Sequence, residues 1–361
     1  MDLNRLTIVI PTNGRPHAIR RAVDYWHKTS VQLVILDGAE EPIKIPEKYL
    51  AGGNVTYHHA PGSLMERMGK STDFVKTEYA ALISDDEFFL LSALHNCIRF
   101  LDDHEEYVAC KGLAVAFGWD GRIINWRPTN KTLRGYEVAA ESPAGRMHEH
   151  FSNYAHASLW SVQRRDVYVA SMKAVGSGPP FSAGPCFEVQ VALITSYMGK
   201  IKVLDELMWL RSDENESIAW KEMPLSFRDW WRDKSLRDEH SRLINSVITY
   251  ANEYYSPGPS YLEVQAALEA QVQGSEERLR LGVQKRKEKR RRWLFNFYVV
   301  VNKYGKIFLN KTIFYGNGYS GYSLLSHIRK AYPAKYEEIK EIADLIYEHH
   351  KGTYLRRESW L

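Results

Sequence analysis

Asp85, Asp86 and Glu87 follow one another at the end of an apolar run, in YAALISDDEFFL over residues 79–90. A carboxylate costs several kcal/mol to desolvate unless something pairs with it. Three of them at the mouth of a buried strand therefore suit a cation, a basic partner or water. A further acid, Glu188, follows the Gly/Pro-rich stretch GSGPPFSAGP (176–185) and falls early in a segment with helical character. It suits proton transfer or, equally, simple complementation of a helix dipole. Asp37 ends another apolar run and precedes Gly38, a pairing that also forms turns. His148, His150 and His156 cluster in MHEHFSNYAH (147–156), but their spacing is not that of a zinc-binding HExxH helix. A loop beside a site is the expectation there.

These residues need elements to position them. RLTIVIPT (5–12) reads as a buried strand ending at Pro11 and Thr12, and Asn13 and Pro16 then announce a helix, as its cap and its first-turn proline. Ile19, Ala22, Val23 and Trp26 give that helix an apolar face. VQLVILDGAE (31–40) and NVTYHHAPG (54–62) read as the next strands, a helix with Leu64, Met68 and Val75 on one face follows, and EYAALISDD is a fourth strand. This alternation predicts an α/β fold, a mostly parallel, Rossmann-like sheet with flanking helices. In such sheets ligands bind beyond the carboxyl ends of the strands, where the acidic run would lie. If residues 85–87 continue the strand, alternate side chains oppose and at most two of the three acids face a ligand.

Beyond residue 100, YVACKGLAVAFGWDGRIINW (107–126) predicts two strands around Asp120-Gly121, SLWSVQRRDV (158–167) another strand, and a helix starts near Phe187. KIKVLDELMWLR (200–211) is extended. After about residue 215 the signals are helical: Tyr261, Val264, Leu268, Val272, Leu279 and Val283 recur at helical steps, as do Tyr336, Ile339, Ala343 and Ile346. Two regions are therefore expected, an α/β region over 1–215 and a mainly helical addition over 216–361.

Four blocks, in this order, resemble GT-A glycosyltransferases of the inverting, family-2-like type: TIVIPTNGRP, VILDGAE, YAALISDDEFF and GPCFEVQVALITSYMGKIKVLDELMWLR. They span about the first 210 residues. The resemblance implies a GT-A fold, with 1–215 as a nucleotide-sugar-binding catalytic domain. It implies transfer of a sugar from a nucleoside-diphosphate donor, UDP-sugar favoured, to a glycan or lipid-linked saccharide, with the loop at 147–156 on the acceptor side. It implies that Pro11, Thr12, Arg15 and Asp37 face the nucleotide, Asp37 through the base. It also makes the acidic run the counterpart of a DxD motif for Mn²⁺ or Mg²⁺. Asp86 is the favoured ligand with Glu87 as the second, and Asp85 is expected on the sugar or ribose. Glu188 is the implied general base, alone where many relatives carry a Glu-Asp pair. Arg67 and Lys70 are candidates for diphosphate, and Arg211 for a phosphate contact; each also suits an ordinary charged position. Trp119, Trp126 and Trp160 suit sugar stacking or core packing alike.

The formal charge of +4 does not indicate a general nucleic-acid binder. Much of the positive charge sits in QKRKEKRRRW (284–293), followed by WLFNFYVVV, so 284–301 suits an anionic membrane surface or a solvated helix end. Cys97, Cys110 and Cys186 form no CxxC pair, and no apolar run approaches the length of a membrane span. A cytoplasmic protein, peripheral at the inner membrane face if the basic run binds lipid, is the expectation. The competing classes are a nucleotidyltransferase, disfavoured because PTNGRP holds a single glycine, and a non-catalytic glycan- or membrane-binding protein.

Overall fold

A computed structural model describes residues 3–119, 123–129, 131–215, 223–281 and 325–355. The Asp120-Gly121 turn, Val283 and the basic stretch 284–301 lie outside the described residues.

The first half is the expected alternation of strand and helix. It runs β1 (Leu6–Thr12), α1 (Pro16–Trp26), β2 (Gln32–Asp37), α2 (Glu47–Leu50), β3 (Val55–His59), α3 (Leu64–Lys70) and β4 (Tyr79–Leu82). Ile8, Ile10, Leu33 and Ile35 enter one core beneath α1, while Val9, Val34, Leu36 and Leu82 enter another beneath α3. Apolar residues at every position are what a strand covered on both faces requires. β1 to β4 pair in parallel in the order β3-β2-β1-β4, and the register aligns Thr12, Asp37 and His59 along the carboxyl edge. The chain moves outward from β1 to β2 and β3 on one side and returns to β4 on the other. The gap between the ends of β1 and β4 is thus a topological switch point, where open α/β sheets bind their ligands.

Two local expectations change. Arg15, not Asn13, stands at the N-cap of α1 and makes no capping bond; its guanidinium is turned toward Asp85 and Asp86 instead. The helix carrying Leu64 and Met68 ends at Lys70 in a single 3-10 turn, so buried Val75 lies beyond it.

β5 (Phe88–Phe89) follows, then α4 (Leu91–Asp103), β6 (Tyr107–Trp119), β7 (Ile124–Pro128), β8 (Glu137–Val138), α5 (Pro143–Ser152), β9 (Val162–Arg164), α6 (Arg165–Val175), α7 (Pro185–Met198) and β10 (Lys200–Ser212). β9 joins β4 to β6 with antiparallel pairing, and β6 and β10 run parallel. β5 turns back antiparallel onto Trp209 and Leu210 of β10. β1, β2, β3, β4, β6 and β10 share one direction and the short β5, β7, β8 and β9 oppose it, so the sheet is mostly parallel as expected. The stretch 147–156 is not a loop throughout. Ser142 accepts from the Gly145 N–H as N-cap and Pro143 opens α5, which carries His148 and His150.

The helical C-terminal region is present. Helix Arg237–Tyr254 and helical residues 261–281 pack with α5, α6 and α7 through Leu243, Val247, Val264, Leu268 and Val272. Tyr261 and Leu279, expected on the same apolar face, are exposed. Helix Tyr336–Leu355 lies against α1 and sends Ile339, Ile342, Ala343 and Ile346 into the core beneath β1 and β2. Ile342→Ala is expected to lower the unfolding free energy by about 2–5 kcal/mol. Urea unfolding would measure it, and a loss below about 1 kcal/mol would contradict this docking. Among the described residues no helix is long and apolar enough to cross a membrane.

Candidate active site

The chain leaves β4, turns through Ser84, Asp85 and Asp86, and re-enters the sheet at β5. The three acids therefore sit in a turn rather than along a strand, and strand alternation does not govern where they point. The cause is the antiparallel pairing of Phe88 and Phe89 with β10, which forces a reversal directly after β4.

Asp85 is buried at the switch point. Its Oδ2 accepts from Thr12 Oγ1 at 2.6 Å. Its Oδ1 lies 3.1 Å from Arg15 Nη1 but off hydrogen-bond geometry, and no hydrogen bond reaches it. Burial pushes its pKa up to about 6, with the Asp86 charge adding and Arg15 opposing. Asp86 Oδ2 accepts from Asn215 Nδ2 at 2.7 Å and lies 3.4 Å from the same Arg15 nitrogen. The backbone of the turn is fixed independently, since Arg21 Nη2 donates to Asp86 O at 3.0 Å while pairing with Glu214 Oε2 at 2.8 Å. Glu87 turns inward, where Trp209 Nε1 donates to its Oε2 at 2.8 Å. Burial, with help from Asp86, pushes Glu87 up to about 8.

Two carboxylate oxygens, one from Asp85 and one from Asp86, thus converge on a single cationic nitrogen. They are hard donors at a place already arranged for positive charge, and they fit a divalent ion that takes its other ligands from water and phosphate. Among the described residues no group of three His, Cys, Asp or Glu side chains is placed to hold an ion by itself.

At the neighbouring sheet edge, Asp37 is fully buried and its carboxylate accepts from Ala39 N at 3.0 Å, Ile43 N at 2.9 Å and Tyr57 OH at 2.7 Å. It holds the loop after β2. Arg67 crosses that loop, donating to Gly62 O at 2.6 Å, and its guanidinium lies on Gly38 so closely that a Cβ there would fall 1.8 Å from Nη1. Pro11 pairs with Leu36 beside these groups. Lys70 is exposed at the end of α3. Gly38→Ala is expected to displace the flexible Arg67 head while changing stability by less than about 1 kcal/mol. Urea unfolding measures the change, and a loss above about 2 kcal/mol would contradict it.

Glu188 lies in the first turn of α7, which opens at Pro185 rather than near Phe187. Its Oε1 is hydrogen-bonded to His156 Nδ1, and Tyr154 also bonds it. Burial raises the Glu188 pKa, but the His156 charge and these bonds outweigh it and hold the carboxyl below its ordinary range. The Glu188 charge in turn raises His156 against its desolvation. The other histidines go elsewhere. His150 is buried against Tyr136 OH and Ser158 Oγ, and burial pushes it down to about 3; His148 meets Ser152 on the surface.

Lys111 and Trp209, which the sequence reading passed over, connect the two acidic centres. Lys111 is wholly buried in β6, with Nζ 2.9 Å from His156 O and 4.3 Å from the centroid of the Trp209 ring. The available signal was a lysine inside ACKGLAV, a run with no other charge. Arg211, half-buried near the end of β10, adds its charge to Glu87, Lys111 and His156. Glu214 and Asn215, which reach the acidic turn through Arg21 and Asp86, follow β10 in a stretch without a recognisable pattern. Of the tryptophans, Trp126 is core, Trp160 stacks on Trp209 at 5.6 Å, and Trp119 stacks on His350 of the C-terminal helix.

No protein-family model matches the chain, and no curated protein does. Among solved structures the chain is similar to S. aureus TarS 1–349 in complex with UDP-GlcNAc, at 14% identity, covering 78% of this chain and 92% of that one with a TM-score of 0.41. It is similar to glucosyl-3-phosphoglycerate synthase from Mycobacterium tuberculosis in complex with Mn²⁺, UDP and phosphoglyceric acid, at 12% identity, covering 71% and 79% with a TM-score of 0.36. Against the longer S. aureus TarS structure the identity is 12% and the TM-score 0.40; the match covers 72% of this chain and 44% of that one. At such scores the likeness assigns no activity, and the side chains must do so.

Proposed function

We propose that the protein is a glycosyltransferase acting on a nucleoside-diphosphate sugar, with a saccharide or lipid-linked saccharide as acceptor. The observation that carries this reading is two acidic centres of opposite character, joined through Trp209, Lys111 and His156. One, Asp85 and Asp86, is buried at the switch point and arranged around a cation. The other, Glu188, is a carboxylate kept ionised and oriented by His156 and Tyr154.

In this reading Asp86 and Asp85 would hold Mn²⁺ or Mg²⁺ together with the donor diphosphate, and the ion would supply charge stabilisation for the departing phosphate oxygen. Arg15 and Arg67 bind diphosphate oxygens, and Thr12 fixes Asp85. The loop that Asp37 organises after β2 receives the base, for which uracil is favoured. Glu87, turned inward and bonded to Trp209, supports the turn rather than the ion. Glu188 takes the proton of the acceptor hydroxyl as that oxygen bonds to the anomeric carbon and the carbon–phosphate oxygen bond breaks, a direct displacement with inversion. Release of nucleoside diphosphate from a panel of donors with simple saccharide acceptors tests the reading, with the anomeric configuration of the product read by NMR. Inversion with one donor class supports it; release from no donor contradicts it.

The ion pair sets the pH dependence. The Glu188 carboxyl is held low, so its contribution to stability is present above its unfolded value near 4.5 and lost as pH falls through the lower folded value. His156 is held high, so its contribution is present below about 6.5 and lost as pH rises through the raised folded value. Between these limits an imidazolium weakens Glu188 as a base. Transfer is therefore expected to rise as His156 loses its proton above about pH 6.5. His156→Gln should remove that limb, and a wild-type rate that is flat from about pH 6 to about pH 9 would contradict it.

A further inference from the structure

Lys111 is a costly residue where it stands. Ala109 and Leu113, two positions away on either side, share its face of β6 and enter an apolar cluster with Ala155 and Ala157. An apolar side chain of similar length would fill the space without desolvating an ammonium. Among the described residues Lys111 has no carboxylate within ion-pair distance. What it does have is His156 O at 2.9 Å and the face of Trp209 at 4.3 Å. The backbone is built to bring these together. Gly112 has no room for a Cβ, which would fall 2.5 Å from Met208 Cβ and 2.6 Å from Glu206 O, and the β6–β10 register shifts on both sides of Leu207. Such bulges re-aim side chains, and this one accompanies Trp209 as it lies between the ammonium and Glu87.

We infer that Lys111 is a positioning residue: by donating to His156 O it fixes the residue whose imidazole orients Glu188, and through Trp209 it ties that pair to the acidic turn. The inference rests on the reading of Glu188 as the base. Lys111 is faced by Glu188, Glu87, the Cys97 thiol, His156 and Arg211, and burial brings it down to about 7. Glu188 is faced by His156, Tyr154, His150 and Lys111, and His156 by Glu188, Lys111, Arg211 and His150. Loss of the ammonium therefore has two effects on His156. Its charge no longer opposes the imidazolium, which raises the His156 midpoint. Its hydrogen bond no longer anchors the residue, which lets the midpoint fall toward that of a free histidine, about 6.5.

Two variants separate these effects. Lys111→Met removes charge and donor, whereas Lys111→Gln removes the charge and keeps a donor directed at His156 O on a side chain one bond shorter. The His156 imidazole is followed through a pH titration by NMR, assigned with His156→Gln, and transfer and donor binding are measured on the same proteins. The expected result is a lower His156 midpoint in Lys111→Met than in Lys111→Gln. With it, kcat should fall about 10- to 100-fold in the methionine variant and be largely restored in the glutamine variant, with donor Kd unchanged. Coincident titrations of the two variants, or a methionine variant as fast as wild type, would overturn the inference. If wild type transfers no sugar from any donor while the titrations separate as described, the functional reading fails and the anchoring role of Lys111 stands.

Discussion

Asp86→Ala is expected to abolish the gain in nucleotide affinity that Mn²⁺ gives, a loss of about 30- to 1,000-fold in the presence of the ion. Removing one member of a buried charge-paired set costs about 2–5 kcal/mol, and most of that range should appear here as lost affinity. The fold should survive because three bonds hold the turn without the Asp86 side chain. Arg21 donates to the Asp86 carbonyl, Thr12 to Asp85 and Trp209 to Glu87. The sign without metal is different. With Asp86 gone, Arg15 and Arg21 face one carboxylate fewer, so metal-free binding of a nucleoside diphosphate should be unchanged or slightly tighter. Calorimetry with and without Mn²⁺ distinguishes a metal ligand from a residue that only holds the turn together. A turn-holding role would weaken binding equally in both conditions.

Glu188→Gln should lower the transfer rate by about 10²- to 10⁴-fold, the usual contribution of a general base. Donor affinity should not change, because on the proposed reading Glu188 meets the acceptor hydroxyl and makes no bond to the acidic turn. The amide keeps the size of the side chain and an oxygen for His156, so α7 and its packing should be preserved. The imidazole loses the charge that raised it, and its midpoint should move down toward the ordinary histidine value. A glutamine variant that turns over within about threefold of wild type would show that the proton leaves by another route.

Much of the sheet was legible because its parallel strands are covered on both faces and therefore read as unbroken apolar runs, as in LTIVIPT and QLVILD. The same logic exposed the carboxyl edge, since Thr12, Asp37 and Asp85 are the polar interruptions of those runs. What was not legible depends on residues far apart in the chain. The acidic run reads as the end of a strand because its neighbours are apolar. The turn exists because Phe88 and Phe89 pair with residues 209 and 210. Lys111 makes sense only beside His156 and Trp209, and Asn215 only beside Asp86. The histidines of 147–156 looked like one cluster, yet α5 sends His150 into the core and the chain beyond it brings His156 to Glu188. Helical periodicity found Ile339, Ala343 and Ile346 as one face but carried no information on what that face would cover.

The most direct measurement is a calorimetric titration of wild-type protein with UDP, GDP, dTDP and CMP and their sugar conjugates, each with and without Mn²⁺. Because the protein offers carboxylate oxygens from Asp85 and Asp86 and the remaining ligands must come from phosphate and water, metal and nucleotide should bind together. One diphosphate class, UDP foremost, should bind at least about tenfold more tightly with Mn²⁺ than without. Binding of no nucleotide in either condition would contradict the account, and the acidic turn would then be a structural feature of a protein with another task.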